Sequence, residues 1–445
     1  MSDPRQLAGT MDEAPIVRHR DGLVARAALV RRASALADRL PNGRHALNLC
    51  CGRGAFLTAF LALLMRGQTM LLPPSRAPGM LEEIGHAYDG ATIIAEAPIP
   101  GVDLPQCRVD PERADGVAPF PSTIPPEHVA AVTFTSGTTG TARPNPKSWR
   151  SLLSGAELCA RRFGFEAASS IVATVPPQHM YGLETSIMLP LAIGAAVHDR
   201  RPLFPHDVAL CPTEVPPPRT LITTPIHLRA CLEASCVWQS LDLIISATAP
   251  LAPALAERAE RKFDAPVREI YGCSEAGSLA SRRTVESDLW LPYDGVRLIR
   301  YGAAPIVQGG HVEAPVRLAD VLVPGPGGQF RIVGRQADMV SIAGKRASLG
   351  DLNLRLTSIE GISDGVFIAP EPTSGDQALR LAALYVSEAL SEREVLRRLA
   401  EQIDPVFLPR PIRRVERLPR NELGKLPRAE LLALVARSAA RRQAS

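Results

Sequence analysis

A run of hydroxyls and glycines in the first half of the chain has the composition of an anion-binding loop. The β-rich run Val132–Thr135 leads into Ser136–Gly140 (SGTTG), and the cations Arg143 and Lys147 follow. Glycines let backbone N–H groups converge, serine and threonine hydroxyls add donors, and cations neutralise phosphate charge. The spacing does not fit the Walker pattern GxxxxGK[ST]. Such a loop is more often a simple turn, so phosphate binding requires support from other residues.

Short motifs in a fixed order accompany this loop. They are Pro176–Gly182 (PPQHMYG), Ser246–Leu251 (SATAPL), Tyr271–Glu275 (YGCSE), Asp320 followed later in the sequence by Gly334-Arg335, Gly344–Arg346 (GKR) and Asn421–Arg428 (NELGKLPR). Together with the loop, they resemble the motifs of the adenylate-forming superfamily of acyl-CoA synthetases, aryl-acid ligases, luciferases and nonribosomal adenylation domains. Each motif is weak alone, but their common order over most of the chain makes the resemblance specific.

The resemblance implies a two-step reaction that uses ATP with Mg2+. A carboxylate attacks the α-phosphorus of ATP and releases pyrophosphate, and a thiol then attacks the acyl-adenylate and releases AMP. Because several oxyanions meet in the first step, donors and metal charge aimed at the phosphates supply most of the stabilisation. By resemblance, Lys425 is a flexible ammonium that reaches the α-phosphate and the substrate carboxylate. Glu275 organises Mg2+, and Ser274 keeps a hydroxyl near the α-phosphate.

The same resemblance assigns the remaining site residues. It implies that Asp320 accepts from the ribose hydroxyls, that Arg335 adds a charged donor there and that Tyr271 flanks adenine. The residues implied to bind ATP or AMP are Thr135, Ser136, Gly137, Thr138, Thr139, Gly140, Arg143, Tyr271, Asp320 and Arg335. Those implied to bind the acyl group or the thiol are His179, Gly182, Ala247, Thr248, Gly344, Lys345 and Arg346. His179 is expected to gate the acyl pocket and not to act as a general base.

A finer resemblance concerns substrate and acceptor. The short front end around Asn48, with Arg66–Gln68, Leu71–Pro74 and Lys147–Trp149, resembles ligases of bacterial aryl-polyene and xanthomonadin-type pigment pathways. It implies that a hydroxybenzoate-like aromatic acid is delivered to the phosphopantetheine arm of an acyl carrier protein, with coenzyme A as the alternative acceptor. A fatty or 3-hydroxy acyl-CoA synthetase is the alternative within the family.

Two domains are expected. Residues 1–335 form the adenylation core, with a shortened N-terminal end, and residues 336–445 form a small mobile C-terminal lid. Phe330–Val333 and Met339–Ala343 are predicted strands on either side of the polar joint Gly334–Asp338, which suits a domain boundary. By resemblance, the lid rotates about this joint between the two half-reactions.

Several positions depart from the family pattern. Arg143 stands where the phosphate loop has a lysine, which keeps the charge but not its point geometry. Ala337 occupies the position of a hinge acid. Ala247 and Thr248 replace paired glycines, which would narrow backbone freedom where the acyl and adenine pockets meet. These departures concern hinge kinetics and pocket shape more than the reaction type.

Two rivals come from other classes. Ala46–Gly54 (ALNLCCGRG) could be the strand-to-glycine turn of an S-adenosylmethionine-dependent methyltransferase, although no acidic residue ends a following strand at the expected distance. A catalytically silent carrier-binding scaffold would keep the fold but lack pyrophosphate exchange. A ligand-dependent shift of the melting temperature distinguishes a methyltransferase from an adenylating enzyme. ATP with Mg2+ should stabilise an adenylating enzyme, and S-adenosylmethionine should not.

The elements that must position these residues have the rhythm of an α/β fold. Strand-length apolar runs alternate with amphipathic stretches, as in Leu241–Ala247, Leu251–Phe263 and Pro266–Tyr271. Ala55–Met65 is too short for a membrane span and is predicted to be a buried helix. The last hundred residues are expected to form a small α/β unit, in which Ser391 and Glu394 have capping-box spacing.

Composition adds exclusions. The chain has 445 residues, 46% hydrophobic and 22% charged, which suits a soluble protein of two or more domains. A net charge of +4 gives no nucleic-acid footprint, and no apolar run or leader predicts membrane insertion or secretion, so a cytoplasmic protein is expected. The eight cysteines have no metal-binding spacing and are predicted to be reduced, mostly buried thiols. From residue 405 onward, the sequence has ten basic residues and three acidic ones. This excess of positive charge suits either a solvated surface or the binding of an acidic partner.

Overall fold

The computed structural model describes residues 13–20, 22–110, 113–118, 120–121, 123–136, 142–302, 304–342, 345–369, 380–420 and 426–443. Contacts within the described residues divide the chain into two compact units. The first comprises Met1–Ala249, Glu257–Arg297 and Val307–Val316, and the second comprises Pro250–Ala256, Leu298–Ile306 and Arg317–Ser445. The predicted boundary at residue 335 and the mobility of the lid stay predictions.

Many of the strands, such as β4, β5, β9 and β12, follow apolar runs of the sequence. In chain order they are β1 (Pro15–His19), β2 (Gly22–Ala25), β3 (His45–Asn48), β4 (Thr69–Leu72), β5 (Thr92–Ala95), β6 (Gln106–Arg108), β7 (Val129–Ser136), β8 (Ala142–Ser148), β9 (Ser170–Ala173), β10 (Ala196–His198), β11 (Arg219–Thr223), β12 (Leu243–Ser246), β13 (Val267–Cys273), β14 (Gly277–Arg283), β15 (Leu291–Pro292), β16 (Arg297–Arg300), β17 (Ile306–Gly309), β18 (Val312–Arg317), β19 (Asp320–Pro324), β20 (Phe330–Arg335), β21 (Met339–Ile342), β22 (Lys345–Ser348), β23 (Asp364–Ile368), β24 (Ala382–Val386) and β25 (Ile412–Arg414).

The helices lie between these strands. They are α1 (Arg26–Ala37), α2 (Arg53–Met65), α3 (Pro78–Ala87), α4 (Trp149–Phe163), α5 (Met180–Leu183), α6 (Leu189–Ile193), α7 (Pro205–Leu210), α8 (Pro225–Glu233), α9 (Pro253–Phe263), α10 (Leu349–Ser358), α11 (Glu392–Ala400) and α12 (Arg428–Gln443). A π-helical stretch, Glu184–Met188, joins α5 to α6.

One sheet of the first unit aligns the carboxyl ends of its central strands. Its order is β15-β14-β13-β12-β11-β9-β10-β1-β2. The strands from β10 through β9, β11 and β12 to β13 run parallel, and the register places Thr223 beside Ser246 and Ser246 beside Glu269. β9 reads SIVA and is buried along its whole length, as expected of a parallel strand covered on both faces. The loops that follow these strands therefore meet at one edge, where open α/β sheets bind ligands.

A second sheet of this unit carries the predicted phosphate-loop flanks. Its order is β6-β5-β3-β4-β7-β8. β7 and β8 are antiparallel, and Thr135 pairs with Arg143 across the ladder. α2 is apolar on all sides and almost wholly buried, which confirms the helix predicted at Ala55–Met65.

The second unit has its own small cores. β19 pairs with β20, β21 pairs with β22, and β23, β24 and β25 form a further sheet. α10 and α11 pack on the last sheet through Leu356, Val395 and Leu399, each fully buried.

The predicted α/β class is confirmed, and its alternation is seen in the run from β12 through α9 to β13. Ser391 caps α11 as predicted, since its Oγ accepts from the Glu394 N–H at 3.3 Å. The Glu394 carboxylate does not return to close a capping box; it binds Arg397 and Arg398 farther along the helix.

Two negative expectations concern membranes and disulfides. None of the described helices has the length and hydropathy that a bilayer crossing requires. All eight cysteines lie in the described part of the chain and are unpaired. Four are buried, three are half-buried and Cys51 is exposed.

Candidate active site

The Tyr271–Glu275 motif ends β13 and enters the tight turn to β14. Gly272 is required here, because a Cβ on it would lie 2.3 Å from the carbonyl oxygen of Gly277. Tyr271 is buried against Trp290, with ring centroids 5.6 Å apart, whereas Ser274 is half-buried and Glu275 is exposed. The turn therefore offers a hydroxyl and a carboxylate at the edge where the parallel strands end.

Cys273, between these residues, is not an activated nucleophile. Burial raises the pKa of its thiol to about 12, and the charge of Glu275 acts in the same direction. The thiol is therefore neutral at neutral pH, whereas cysteine nucleophiles act as thiolates. This agrees with the reduced thiols predicted from the sequence.

Lys147 on β8 reaches across to this turn. Its ammonium donates to the backbone carbonyl of Glu275 at 2.5 Å, and the residue is only 5% exposed. Burial lowers the pKa of Lys147, while the negative charges of Glu184, Glu275 and Glu313 oppose that shift. Sequence reasoning had treated Lys147 as a nearby cation for phosphate; the structure gives its ammonium a backbone partner 128 residues away.

Buried polar side chains surround the same turn, and sequence reasoning missed them. Glu184 accepts from the Ser278 N–H at 3.1 Å and from the Ser278 hydroxyl at 2.5 Å. His311 Nε2 lies 2.9 Å from the carbonyl oxygen of Ala276, so the Nε2–H tautomer donates to it. The buried Ser148 donates to the exposed Glu313 at 2.6 Å. The available sequence signal was Glu184, a carboxylate within the apolar run Met180–Leu191, since such a residue must be paired if it is buried.

His311 should make the first unit sensitive to acid. Burial lowers its pKa to about 4. Below its ordinary value of 6.5 the unfolded chain takes up a proton before the folded chain does, so folding stability falls between pH 6.5 and 4, by about 3 kcal/mol. His311→Gln keeps an amide donor for Ala276 and does not titrate. In urea denaturation, the variant should therefore lose less stability than the wild type from pH 7 to pH 4.

Burial also lowers the pKa of His45, His198 and His227, and these histidines are present in both wild type and variant. The difference between wild type and variant therefore gives the contribution of His311 alone. Parallel curves of unfolding free energy against pH for wild type and variant would contradict the assignment.

The Pro176–Gly182 segment is fixed from both ends. A Cβ at Gly182 would lie 2.0 Å from the carbonyl oxygen of Pro176, so the turn requires glycine. The Leu183 N–H donates to the His179 carbonyl at 2.8 Å and starts α5, and the His179 side chain is half-buried. Tyr181 donates its hydroxyl proton to the carbonyl of Ile245 at 3.0 Å, which ties the segment to the end of β12.

The glycine-containing segment Ala46–Gly54, which suggested a methyltransferase as an alternative, supports the Pro176–Gly182 segment through Arg53. Arg53 is fully buried, and its guanidinium donates to the carbonyls of Ala173 at 2.7 Å and Val175 at 2.9 Å, directly ahead of Pro176. The backbone donors of the turn are also already used. Glu96 accepts from the Cys51 and Gly52 N–H groups at 2.8 Å each, and Asp199 accepts from the Gly54 N–H at 2.7 Å.

Of the two residues that replace paired glycines, Thr248 keeps a glycine-like backbone. Ala247 is buried, and the exposed Thr248 has φ +78°. A β-branched residue in this region costs on the order of 1–3 kcal/mol. The substitution therefore adds strain after β12 without removing the bend.

In the second unit, Asp320 and Arg335 are direct cross-strand partners. β19 and β20 pair them in register, and the Arg335 Nε lies 3.7 Å from the Asp320 Oδ1. The Asp320 side chain is 14% exposed and that of Arg335 is 67% exposed. Lys345 donates to Asp404 at 2.5 Å, and Arg346 lies opposite Ser341 in the β21–β22 ladder.

Several predicted site residues lie outside the described residues. These are Gly137, Thr138, Thr139, Gly140, Gly344 and Lys425. Of the others, the structure groups Ser274 and Glu275 in one turn and joins that turn through Lys147 to the strand that carries Arg143. Ser136 ends β7 beside the loop. The individual ligand roles of all these residues stay predictions.

Comparisons with known proteins agree with the motif order. The sequence profile of the AMP-binding enzyme family matches residues 86–308. A 4-coumarate–CoA ligase of Halorhodospira halophila is 28% identical over 315 residues, which cover 67% of this chain and 76% of that protein. The structure of the o-succinylbenzoate coenzyme A synthetase of Bacillus subtilis with ATP and magnesium has a TM-score of 0.82 at 18% identity. The match covers 96% of this chain and 98% of the synthetase chain.

An anthranilate CoA ligase solved with anthranoyl-AMP also has TM-score 0.82, at 15% identity, and covers 98% of this chain and 96% of its own. At these identities the structural likeness establishes the fold, and chemistry must be argued from the residues.

Proposed function

The chain belongs to the AMP-binding enzyme family and by class is an acid–thiol ligase that forms AMP, and from this premise we propose that it activates an aromatic carboxylic acid for transfer to a thiol. In the first step a carboxylate oxygen attacks the α-phosphorus of ATP, and the bond to pyrophosphate breaks. In the second step a thiol sulfur attacks the acyl carbonyl, the thiol loses its proton, and AMP leaves.

One observation carries the proposal for the first step. The hydrogen bond from Lys147 to the Glu275 carbonyl ties the strand behind the predicted phosphate loop to the turn that holds Ser274 and Glu275. Lys147 and Glu275 are 128 positions apart in sequence, so only the fold brings these two segments together. Phosphoryl chemistry needs this convergence of donors on one phosphate chain, because most of its catalysis is positioning and charge stabilisation.

The residues present fit a magnesium ion. Mg2+ keeps several waters and is bound by one or two carboxylates together with substrate phosphates. Glu275 offers one exposed carboxylate on a backbone that Lys147 holds in place. When bound there with ATP, the ion would supply positive charge to the phosphate oxygens. Ser274 would add a hydroxyl donor beside the α-phosphate.

Ribose recognition is proposed for the Asp320–Arg335 pair. Asp320 offers carboxylate oxygens that accept from two vicinal hydroxyls, and Arg335 offers donors from the neighbouring strand. The ionic contact of 3.7 Å is too long for an ideal hydrogen bond between the two side chains.

The proposed acceptor is a pantetheine thiol, of an acyl carrier protein or of coenzyme A. Both carriers are anionic, and the second unit exposes Arg410, Arg414 and Arg417 along and beside β25. Other cations of this region are engaged within the unit, such as Arg420, which binds Asp364 through two bonds of 2.7 Å. The named relatives support coenzyme A. A carrier protein remains our proposal from the motif resemblance to pigment-pathway ligases.

A screen of acids tests substrate and acceptor together. Pyrophosphate release is measured with hydroxybenzoates, cinnamates and aliphatic acids, each with coenzyme A or a phosphopantetheinylated carrier protein. We expect aromatic acids to give the fastest release and the thioester to form only when a thiol is present. A preference for fatty or 3-hydroxy acids would overturn the aromatic assignment, and no release with any acid would contradict the ligase itself.

A further inference from the structure

Lysine is rare in this chain, and one of the few lysines is buried beside the candidate active site. Only four of the 50 basic residues are lysines: Lys147, Lys262, Lys345 and Lys425. Lys345 and Lys425 belong to the predicted site. Lys147 is 5% exposed, although burying an ammonium costs several kcal/mol unless partners compensate. In a chain whose basic residues are mostly arginine, this position has a compact point charge.

The contacts of Lys147 explain why a compact ammonium is needed. Its Nζ lies 2.5 Å from the carbonyl oxygen of Glu275, at the turn between β13 and β14. Glu184 and Glu313 supply negative charge around the ammonium and are themselves held by Ser278 and Ser148. A planar guanidinium with five donors would need more space and more acceptors than this carbonyl offers.

The next carbonyl of the turn is held in the same way. His311 donates from Nε2 to Ala276 at 2.9 Å, and the Ser151 hydroxyl donates to the His311 carbonyl at 3.0 Å. Two consecutive carbonyls of the turn therefore receive buried side-chain donors from other segments. These bonds fix the backbone of the turn, so the position of the turn does not depend on the exposed Glu275 side chain.

We propose that Lys147 is a positioning residue for MgATP: it holds the Ser274–Glu275 turn at the distance from β8 that the nucleotide phosphates require. This inference rests on the proposed function. Lys147 acts through Glu275 and Ser274 and touches no reacting atom. Because misplacement of a site by about 1 Å can cost on the order of 100-fold, loss of this one bond is expected to weaken nucleotide binding much more than it weakens the binding of the acid.

The test compares Lys147→Met and Lys147→Gln with the wild-type full-length protein. Methionine matches the length of the stem without a donor, and glutamine offers a neutral donor one atom shorter. Calorimetric titration with MgATP, without any acid, is expected to give affinity lower by about 10-fold to 100-fold in the methionine variant, with glutamine between methionine and wild type. The KM for the acid and the rate of thioester formation from a synthetic acyl-adenylate should stay within about 2-fold.

Lys262→Met is the matched control. The Lys262 ammonium also donates to backbone carbonyls, those of Cys231, Leu232 and Ala234 at 2.9 to 3.1 Å, but these lie at the end of α8. We expect this variant to melt at a lower temperature and to bind MgATP as the wild type does.

Each outcome decides the proposal. Wild-type affinity for MgATP in a folded methionine or glutamine variant would overturn it. An equal loss of nucleotide binding and of thioester formation from the acyl-adenylate would also overturn it, because it would mean general misfolding. If the methionine variant does not fold, the glutamine variant alone gives the same decision. Failure of the wild type to bind MgATP would instead refute the proposed function.

Discussion

Lys425→Ala is expected to abolish the carboxylate-dependent exchange of labelled pyrophosphate into ATP, with a loss of about 100-fold to 1,000-fold or more. The expectation comes from the sequence, in which Gly424 precedes Lys425 and Arg428 follows it. In the first half-reaction, negative charge from the carboxylate and the α-phosphate is brought together. Removing a preorganised donor for such charge costs roughly 2.7–4 kcal/mol in comparable acyl-transfer sites. A flexible ammonium is suited to follow that charge as it redistributes.

The second half-reaction is the internal control. Thioester formation from a synthetic acyl-adenylate should survive in Lys425→Ala, because the motif resemblance assigns Lys425 to adenylation and not to the thiol step. Lys262→Ala removes a lysine outside the candidate site and should leave both reactions unchanged. Equal loss of both half-reactions in Lys425→Ala would show that Lys425 supports the fold or the thiol step and not adenylation specifically.

The elements were predictable where local pattern and burial agree. The apolar run around Phe56 and Leu57 could only be a buried helix, and the structure has α2 there. The alternation from β12 to β13 was visible because parallel strands covered on both faces read as continuous apolar runs. A short 3-10 turn, Gln336–Asp338, lies between β20 and β21 and forms the last three residues of the predicted joint Gly334–Asp338, whose role as a domain boundary stays a prediction.

The side chains that hold the backbone of the candidate site were not predictable, because their hydrogen bonds join residues far apart in sequence. Lys147 looked like a loop cation, yet its partner is a backbone carbonyl, which no residue pattern records. His311 has no motif around it. Arg53 was placed in a glycine turn with a rival function, whereas its guanidinium holds the backbone ahead of Pro176. Motifs identify groups that touch ligands, and the groups that hold those motifs vary with packing.

Thr248 departs from the family pattern, and its backbone conformation could not be predicted from the sequence. Replacement of a glycine predicted a loss of backbone freedom after β12. The structure shows φ +78°, so the local bend survives and the chain carries the strain. Residues held in such regions persist only where the surrounding structure determines them, and they cluster at functional sites. The strain is consistent with the placement of Thr248 at the edge where the parallel strands end.

Glu275→Gln is expected to slow acyl-adenylate formation by about 100-fold or more and to raise the Mg2+ concentration needed for half-maximal rate. Glutamine keeps the size of the side chain and leaves the backbone carbonyl that Lys147 holds. Because the Glu275 side chain is exposed, folding stability should change by less than about 0.5 kcal/mol. The measurement is pyrophosphate release at saturating acid across a Mg2+ series, together with thermal melting of the unliganded protein.

The control for charge is Glu257→Gln, which removes an exposed carboxylate that lies 4.0 Å from the guanidinium of Arg261. It should match the wild type at every Mg2+ concentration. The comparison separates two meanings of a slow Glu275→Gln variant. A shift in Mg2+ requirement with unchanged melting indicates a carboxylate that organises the metal. A slow variant with an unshifted Mg2+ curve would place Glu275 outside metal binding, and wild-type rates would remove this turn from the adenylation chemistry altogether.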